Sequence, residues 1–289
     1  GGTGFSDKIR ETQDVGTDYG IIQVGTLEIG GTNAYLFTRH SQLDVPHRVN
    51  YRGNIQAAKL LGVRMMYGIS AAGRLHADVL PGHLVAVSDF DWDDIAPETF
   101  AEDGNMLLHI SMNPSCSEGL RKVLHDAWKE VKEQVQERYS DASQLAVGYH
   151  QDGVYFNIHG PGFSTVAREE AIRRKGNNHK VIGQTLHSEA YLAREMQIAY
   201  TGLAMCVDHS NYPNAPQHVN HGEVVMQAVP ATADAAYMLL DAAIRKIPNP
   251  FDDPAHTALQ HALLPEQVHL GRLNEVRPRL AEILRRELL

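Results

Sequence analysis

Gly160-Pro161-Gly162-Phe163-Ser164-Thr165, together with the segment from Val181 to Asp208, constrains this chain more than any other part of it. A proline between two glycines fits neither a helix interior nor a central strand, so residues 160–162 predict a sharp turn with exposed backbone. Phe163 follows at once, and a polar helical run begins at Thr165. Val181-Ile182-Gly183-Gln184-Thr185 reads as a short apolar strand ending in polar residues. A helix-like stretch then leads to Thr201-Gly202-Leu203-Ala204-Met205-Cys206-Val207, a second buried strand that ends on Asp208. Two strands of parallel type would thus present polar groups at their carboxyl ends, where open α/β sheets bind ligands. An aromatic ring on the neighbouring turn could stack on something flat.

The rest of the chain alternates in the same way. Residues 1–24 read as loop and irregular chain, with a strand emerging at 20–24, and further strands are expected at 26–29, 34–38, 64–69, 84–89 and 153–158. Helices are expected at 54–61, 117–139, 189–196 and 231–247, the last ended by Pro248, Pro250 and Pro254, and the tail 265–289 reads as helical. Residues 39–49 form a polar loop. Residues 91–106 carry Asp91, Asp93, Asp94, Glu98, Glu102 and Asp103 with few apolar anchors, which suits a mobile lid or surface loop. Strands alternating with helices argue an α/β sheet flanked by helices. With no internal repeat, low-complexity run or linker in view, residues 1–289 read as one domain.

Composition removes several classes of function. At 289 residues, 43% hydrophobic and 21% charged, the chain can bury a large core. No run approaches the roughly 20 apolar residues of a membrane span. A net charge of −9 argues against nonspecific nucleic-acid binding, which rests on phosphate neutralisation by Lys and Arg. Cys116 and Cys206 make no spaced pattern, so two buried inert thiols in a reducing, cytoplasmic setting are expected. His218 with His221 is too little for a metal site, and no metal or organic cofactor is expected.

Several residues could carry chemistry. Gly1-Gly2-Thr3-Gly4 is a tight, donor-rich turn that could form an anion-binding concavity or could be a plain structural turn. A dinucleotide fingerprint fails, because G-x-G-x-x-G is not completed. Such a phosphate loop ordinarily follows a strand, so a first strand is expected ahead of Gly1. Arg39 and His40 close a strand and fit either solvated surface or a phosphate site, for which a guanidinium offers a planar fork. Asp208 is the sharpest candidate. A carboxylate ending an apolar strand is costly to bury unless it is paired or functional, and there it could hold or share a proton.

The order of these pieces resembles the trimeric purine nucleoside and methylthioadenosine phosphorylase family. The resemblance begins at Gly1-Gly2-Thr3-Gly4-Phe5. It continues through Arg39-His40, Val49-Asn50-Tyr51-Arg52-Gly53-Asn54, Ser70-Ala71-Ala72-Gly73-Arg74-Leu75 and Pro81-Gly82, and extends to about residue 245. Arg-His followed by Val-Asn-Tyr is most similar to the methylthioadenosine branch. The resemblance implies a twisted mixed sheet flanked by helices, and a homotrimer. It implies that Thr3, Arg39, His40, Ser70, Ala71 and Thr185 hold inorganic phosphate as co-substrate, that Phe163 stacks on the base, and that Asp208 meets N7 of the leaving purine.

Two positions depart from the family pattern. Gln184 stands where many members carry Met under the ribose; it could bond a sugar hydroxyl or base edge, or simply fill the same volume. Ser210 stands where adenosine-type members carry a second Asp near the 6-amino group, which opens the 6-position preference, since Ser both donates and accepts. His109 matches a His that reaches the nucleoside's 5' end from a neighbouring subunit, although a half-buried structural His fits equally. Gln227 falls in the stretch 224–228 where the family shapes its 5' pocket. The expected activity is phosphorolysis of a purine nucleoside, one modified at 5' such as 5'-methylthioadenosine, giving free base and a pentose 1-phosphate. The alternatives are a 6-oxopurine or pyrimidine nucleoside, or a non-catalytic nucleoside-binding protein on the same fold.

Overall fold

The computed structural model describes all residues except 1–3, 40–45, 93–97, 140–145, 177, 214–220, 261, 264 and 289. For 46, 221–224, 226–227, 265 and 288 it describes the backbone alone. Strands β1 (Glu11–Thr17), β2 (Gly20–Ile29) and β3 (Thr32–Phe37) form a three-stranded antiparallel sheet. After α1 (Tyr51–Leu60) come β4 (Met65–Arg74), β5 (Leu84–Ala86), β6 (Asp89–Trp92), α2 (Glu118–Arg138), β7 (Tyr149–His150) and β8 (Val154–Asn157). The chain continues through α3 (Val166–Lys175), β9 (His179–Gly183), α4 (Leu186–Glu195), β10 (Ala199–Asp208), α5 (His221–Lys246), α6 (Leu270–Val276) and α7 (Pro278–Leu288). The second sheet is mixed and seven-stranded, in the order β6-β8-β9-β4-β10-β5-β7. This is the expected α/β architecture.

Strand β10 sits between β4 and β5 and is buried at every residue, as a central strand covered on both faces must be. Its side chains alternate between two cores. Leu203, Met205 and Val207 pack with Val123, Leu124 and Ala127 of α2 and Ala236, Leu239 and Leu240 of α5. Tyr200, Ala204 and Cys206 face the other way, with Ile55 of α1 and Leu186 and Ala190 of α4. Burying one Leu or Met side chain contributes about 1.5–3 kcal/mol, so this strand and its two helical layers fix the middle of the sheet. Both cysteines are buried, and burial pushes each thiol up to about 12, in keeping with inert packing. Among the described residues no helix is long and apolar enough to cross a membrane.

Several boundaries differ from expectation. Residues 11–17 are a strand, not loop: Glu11-Thr12-Gln13-Asp14 is polar on both faces and exposed, so it carries no alternating apolar signal, yet its backbone pairs with β2 throughout. The two expected strands at 20–24 and 26–29 are one: Gly25 stays in the ladder, paired with Thr12 and Leu36, and the Ile9 side chain lies over it. Helix α1 starts at Tyr51 rather than 54, capped by Asn50, whose Oδ1 accepts from Gly53 N at 2.9 Å. Pro230 does not bound α5, which runs through it; Ala228, Val229 and Ala233 are buried against the sheet, and that packing outweighs one lost backbone bond. The tail is helical as expected, and Pro278 opens its second helix.

The direction of β9 is a further correction. It lies antiparallel to β4, meeting it only through Gly73↔Ile182 and Arg74↔Val181, whereas β10 is parallel to β4. The carboxyl ends of β9 and β10 therefore meet at the carboxyl end of β4 from opposite directions.

The acidic stretch also behaves differently from a free lid where it is described. Arg52 pairs with Glu98 at 3.2 Å and Glu102 at 2.5 Å, and Arg277 with Asp103 at 3.0 Å. Glu195 closes α4 and ties down the same stretch, accepting from Thr99 Oγ1 at 2.6 Å and Phe100 N at 2.8 Å. Burial pushes this carboxyl up to about 7, against the pull of those two hydrogen bonds. A raised folded-state value means that the folded protein holds a proton which the unfolded chain has already released between about pH 4.5 and 7. Stability from this group is therefore fully present below that window and is lost as pH rises through it, by about 3 kcal/mol. Urea unfolding between pH 5 and 8 should show a fall in stability that Glu195→Gln flattens; an identical pH dependence in the variant would remove the assignment.

Candidate active site

One cleft collects most of the residues singled out in the sequence. It is lined by Arg39, Ser70, Ala71, Phe163, Gln184, Thr185, Asp208 and Ser210, joined by Ser164, Ile158, Ile182 and Val225 among others. The carboxyl ends of β4, β9 and β10 form its floor, the turn 160–163 one wall, and the start of α5 another.

At one end the geometry suits an anion. Thr185 is the N-cap residue of α4, but its hydroxyl caps nothing in the helix; it shares a hydrogen bond of 2.9 Å with Ser70 Oγ instead. Two hydroxyls and a helix amino end therefore meet at one point, and the backbone N–H groups and dipole of such an end favour negative charge. Tyr155 lies beneath, its hydroxyl accepting from Thr185 N at 3.4 Å. Gly183 is required there, since a side chain would collide with that hydroxyl.

Arg39 completes this end, and it is not a free cation. It is 4% exposed. Its Nε and Nη2 donate to the two carboxylate oxygens of Glu189, the second at 2.6 Å, and its Nη1 donates to Ile69 O. Burial alone would favour loss of its proton, but the Glu189 carboxylate outweighs that and holds the guanidinium charged. The converse holds for Glu189: burial pushes its carboxyl up, and Arg39 more than compensates, leaving it below its ordinary value. Tyr200 OH donates to Glu189 Oε2 at 2.9 Å, reaching it across Gly68, where any side chain would block the way. Of the five N–H groups of a guanidinium, three are committed inside the protein. Arg39 thus meets the cleft as an oriented fork whose charge is largely balanced.

The other end is built for something flat. Phe163 is 64% exposed, with its ring at the mouth of the cleft. Gln184 Nε2 donates to Gly162 O at 3.0 Å, which ties the turn carrying Phe163 to the end of β9. Asp208 is buried, at 3% exposure, on the last residue of β10, where the pairing with β4 shifts register between Cys206 and Asp208. Ser210 follows with a φ of 52°, a left-handed conformation uncommon for a residue with a side chain. Its hydroxyl donates to Glu169 of α3.

The remaining expectations fall elsewhere. Thr3 and His40 lie outside the described residues. Gln227 belongs to α5 but its side chain is not described; Val225, one turn away, is in the cleft lining. His109 is exposed, bonds its backbone N–H to Ala262 O at 3.1 Å, and is not in the cleft of its own chain. Sequence reasoning missed Glu189, Glu169, Tyr155 and Ser164. A signal existed for Glu189: with Leu186, Ala190 and Ala193 it occupies one helix stripe at i, i+3, i+4 and i+7, an acid on an apolar face.

Comparison with known proteins agrees with this geometry. A family model described as the phosphorylase superfamily matches residues 20–245. The S-methyl-5'-thioadenosine phosphorylase of Chloroflexus aurantiacus is 34% identical, over 96% of this chain and 90% of its own. A Thermococcus kodakarensis protein named probable 6-oxopurine nucleoside phosphorylase is 31% identical, over 91% and 96%. Among solved structures, a methylthioadenosine phosphorylase sourced from an Antarctic soil metagenomic library superposes with a TM-score of 0.78 at 28% identity, covering 98% of this chain and 96% of that one. The methylthioadenosine phosphorylase from Schistosoma mansoni in complex with adenine gives 0.71 at 25% identity, covering 84% and 89%. This chain belongs to the phosphorylase superfamily, within its purine nucleoside and methylthioadenosine phosphorylase family.

Proposed function

We propose that this protein phosphorolyses a purine nucleoside carrying an apolar 5' substituent, 5'-methylthioadenosine being the best fit, with inorganic phosphate as its only co-substrate. The observation that carries the reading is the spacing inside the cleft. Ser70, at the anion end, and Gly73, which pairs with Asp208 at the other, are three residues apart on β4, about 10 Å along a strand. A pentose bridges that gap between a phosphate at Ser70, Thr185 and Arg39 and a purine at Phe163 and Asp208. Thr3 and His40 would add to the phosphate set, as would Ala71 through its backbone N–H.

The reaction then balances simply. A phosphate oxygen forms the new bond to the anomeric carbon as the bond to the base nitrogen breaks, through an oxocarbenium-like transition state. The electron pair leaves with the base, and Asp208 stabilises it at N7 by a proton or hydrogen bond, help typically worth about 10²–10⁴ in rate. Val225, with Gln227 close by in sequence, faces the 5' side, where an apolar lining suits a methylthio group better than a hydroxyl. His109, exposed on its own chain, serves the neighbour's 5' end in a homotrimer, a heterologous ring in which different surfaces meet. Salvage of purines in the cytoplasm is the setting this chemistry fits.

The direct test is release of free base from 5'-methylthioadenosine, adenosine, inosine and uridine, with and without phosphate, alongside light scattering. The expected result is phosphate-dependent release, fastest from 5'-methylthioadenosine, by a trimer. Nucleoside binding with no phosphate-dependent turnover would make this a binding protein, and a pyrimidine nucleoside as best substrate would remove the role of Asp208, because pyrimidines have no N7. A fully active monomer would exclude the role of His109.

A further inference from the structure

We propose that Glu169 sets the polarity of the base end: a positioning carboxylate behind the cleft that turns the Ser164 and Ser210 hydroxyls into acceptors, so that the site takes a purine with a hydrogen-bond donor on its exocyclic position. The proposal rests on the phosphorylase reading for the orientation of the base, and the test separates the two.

The observation is a fully buried acid on a helix that is otherwise largely polar. Glu169, at 0% exposure, shares the inner face of α3 with Ile172. Ser164 Oγ and Ser210 Oγ both contact its Oε1, as does Asn211 Nδ2 at 2.9 Å. Its Oε2 accepts from Asn211 N at 2.9 Å and faces Arg173 Nη1 at 3.4 Å. A burial this complete is tolerated only with such a set of donors. An ionised carboxylate has acceptors and no donor, so a serine hydroxyl bonded to it must donate. Each hydroxyl carries one proton and two lone pairs; once the proton is given to Glu169, the lone pairs are what remains for a ligand. Both serines line the cleft, and Glu169 does not.

The surroundings hold this arrangement in place. Asn211 Nδ2 also donates to Ser164 O at 2.9 Å, joining the two serine-bearing segments. Arg74 lies 3.9 Å from the Tyr212 ring centroid, and Arg173 bonds Asn211 O at 3.4 Å. Gly73 leaves space against Ser210, since a side chain there would press on its Cβ and Oγ at 3.1 Å. The acid that the sequence reading found missing at Ser210 is thus supplied from α3, one layer behind, and acts through the hydroxyls. An exocyclic amino group presents a donor to these oxygens; an exocyclic carbonyl presents lone pairs to lone pairs. Sites built to pair a substrate donor reject the analogue lacking it far more strongly than an apolar pocket rejects a methylene.

The test is binding of free adenine and free hypoxanthine, measured by isothermal titration on the wild type, Glu169→Gln and the double variant Ser164→Ala/Ser210→Ala. Wild type is expected to bind adenine at least roughly tenfold more tightly. In Glu169→Gln the carboxamide can donate, the hydroxyls are released, and the gap should close by about tenfold, with phosphate affinity unchanged. The serine variant removes the acceptors directly but takes two donors from Glu169, so the melting temperature of each variant is read beside its binding, and the gap closes in whichever of the two stays folded. Hypoxanthine bound more tightly by wild type, or an adenine preference equal in all three proteins, overturns the proposal. Turnover is read in parallel: an adenine preference abolished by these variants in a protein without phosphate-dependent turnover would uphold the polarity device while removing the phosphorylase reading.

Discussion

Asp208→Ala is expected to lower kcat and kcat/KM together, by about 10²–10⁴-fold, with little change in the phosphate KM. The reasoning is that its contact with the base strengthens as negative charge flows into the leaving group, so removal costs the transition state more than the ground state. The loss should depend on the leaving group. A nitrophenyl riboside releases a stable anion that needs no proton, so the variant should handle it almost as well as the wild type does. Equal losses on natural and activated substrates would show that Asp208 serves the strand end and not the base. The position makes that alternative concrete: Asp208 closes β10 at a register shift and is almost fully buried, and a residue there could matter for the fold alone.

What could be read in the sequence was the residue types at strand ends, and what could not was their partners. The turn at 160–163, the strand ending on Asp208 and the hydroxyls of Ser70 and Thr185 were legible because glycine, proline and an acid after an apolar run are local signals. Arg39 was legible as a guanidinium near a strand end, yet nothing local shows that Glu189, 150 residues away, holds its Nε and Nη2. Glu169 looks like an ordinary acid in the first turn of a polar helix, and only the folding of the 208–212 loop against α3 turns it inward. The direction of β9 was misread for the same reason: apolar content signals a buried strand but carries no sign of which way its neighbour runs. Gln184 has a contact that no local signal offers. One of its N–H groups donates to Gly162 O and ties down the turn that carries Phe163, beside whatever its other amide groups meet in the cleft.

The Arg39–Glu189 pair gives the second large effect, on stability and on phosphate at once. Both side chains are buried, so Glu189→Ala leaves a guanidinium without its counter-charge and Tyr200 OH without its acceptor. Breaking a buried pair from one side costs about 3–5 kcal/mol, a fall in Tm on the order of 10 °C for a chain of this size. Arg39→Ala is expected to cost as much, for the mirror reason, so a phosphate defect in that variant alone would not separate binding from folding. Replacing both with apolar residues of similar volume does. Arg39→Met/Glu189→Leu removes both charges, and such replacements are often neutral or stabilising, but it still leaves Tyr200 OH and Ile69 O unpaired, so Tm should recover much of the loss and not all of it. The phosphate KM should nonetheless stay raised tenfold or more, because a hydrogen bond to a charged group is worth about 1.5–3 kcal/mol. A double variant that recovers both stability and the wild-type phosphate KM would mean that Arg39 is there for Glu189 and not for phosphate, leaving the anion to Ser70, Thr185 and the amino end of α4.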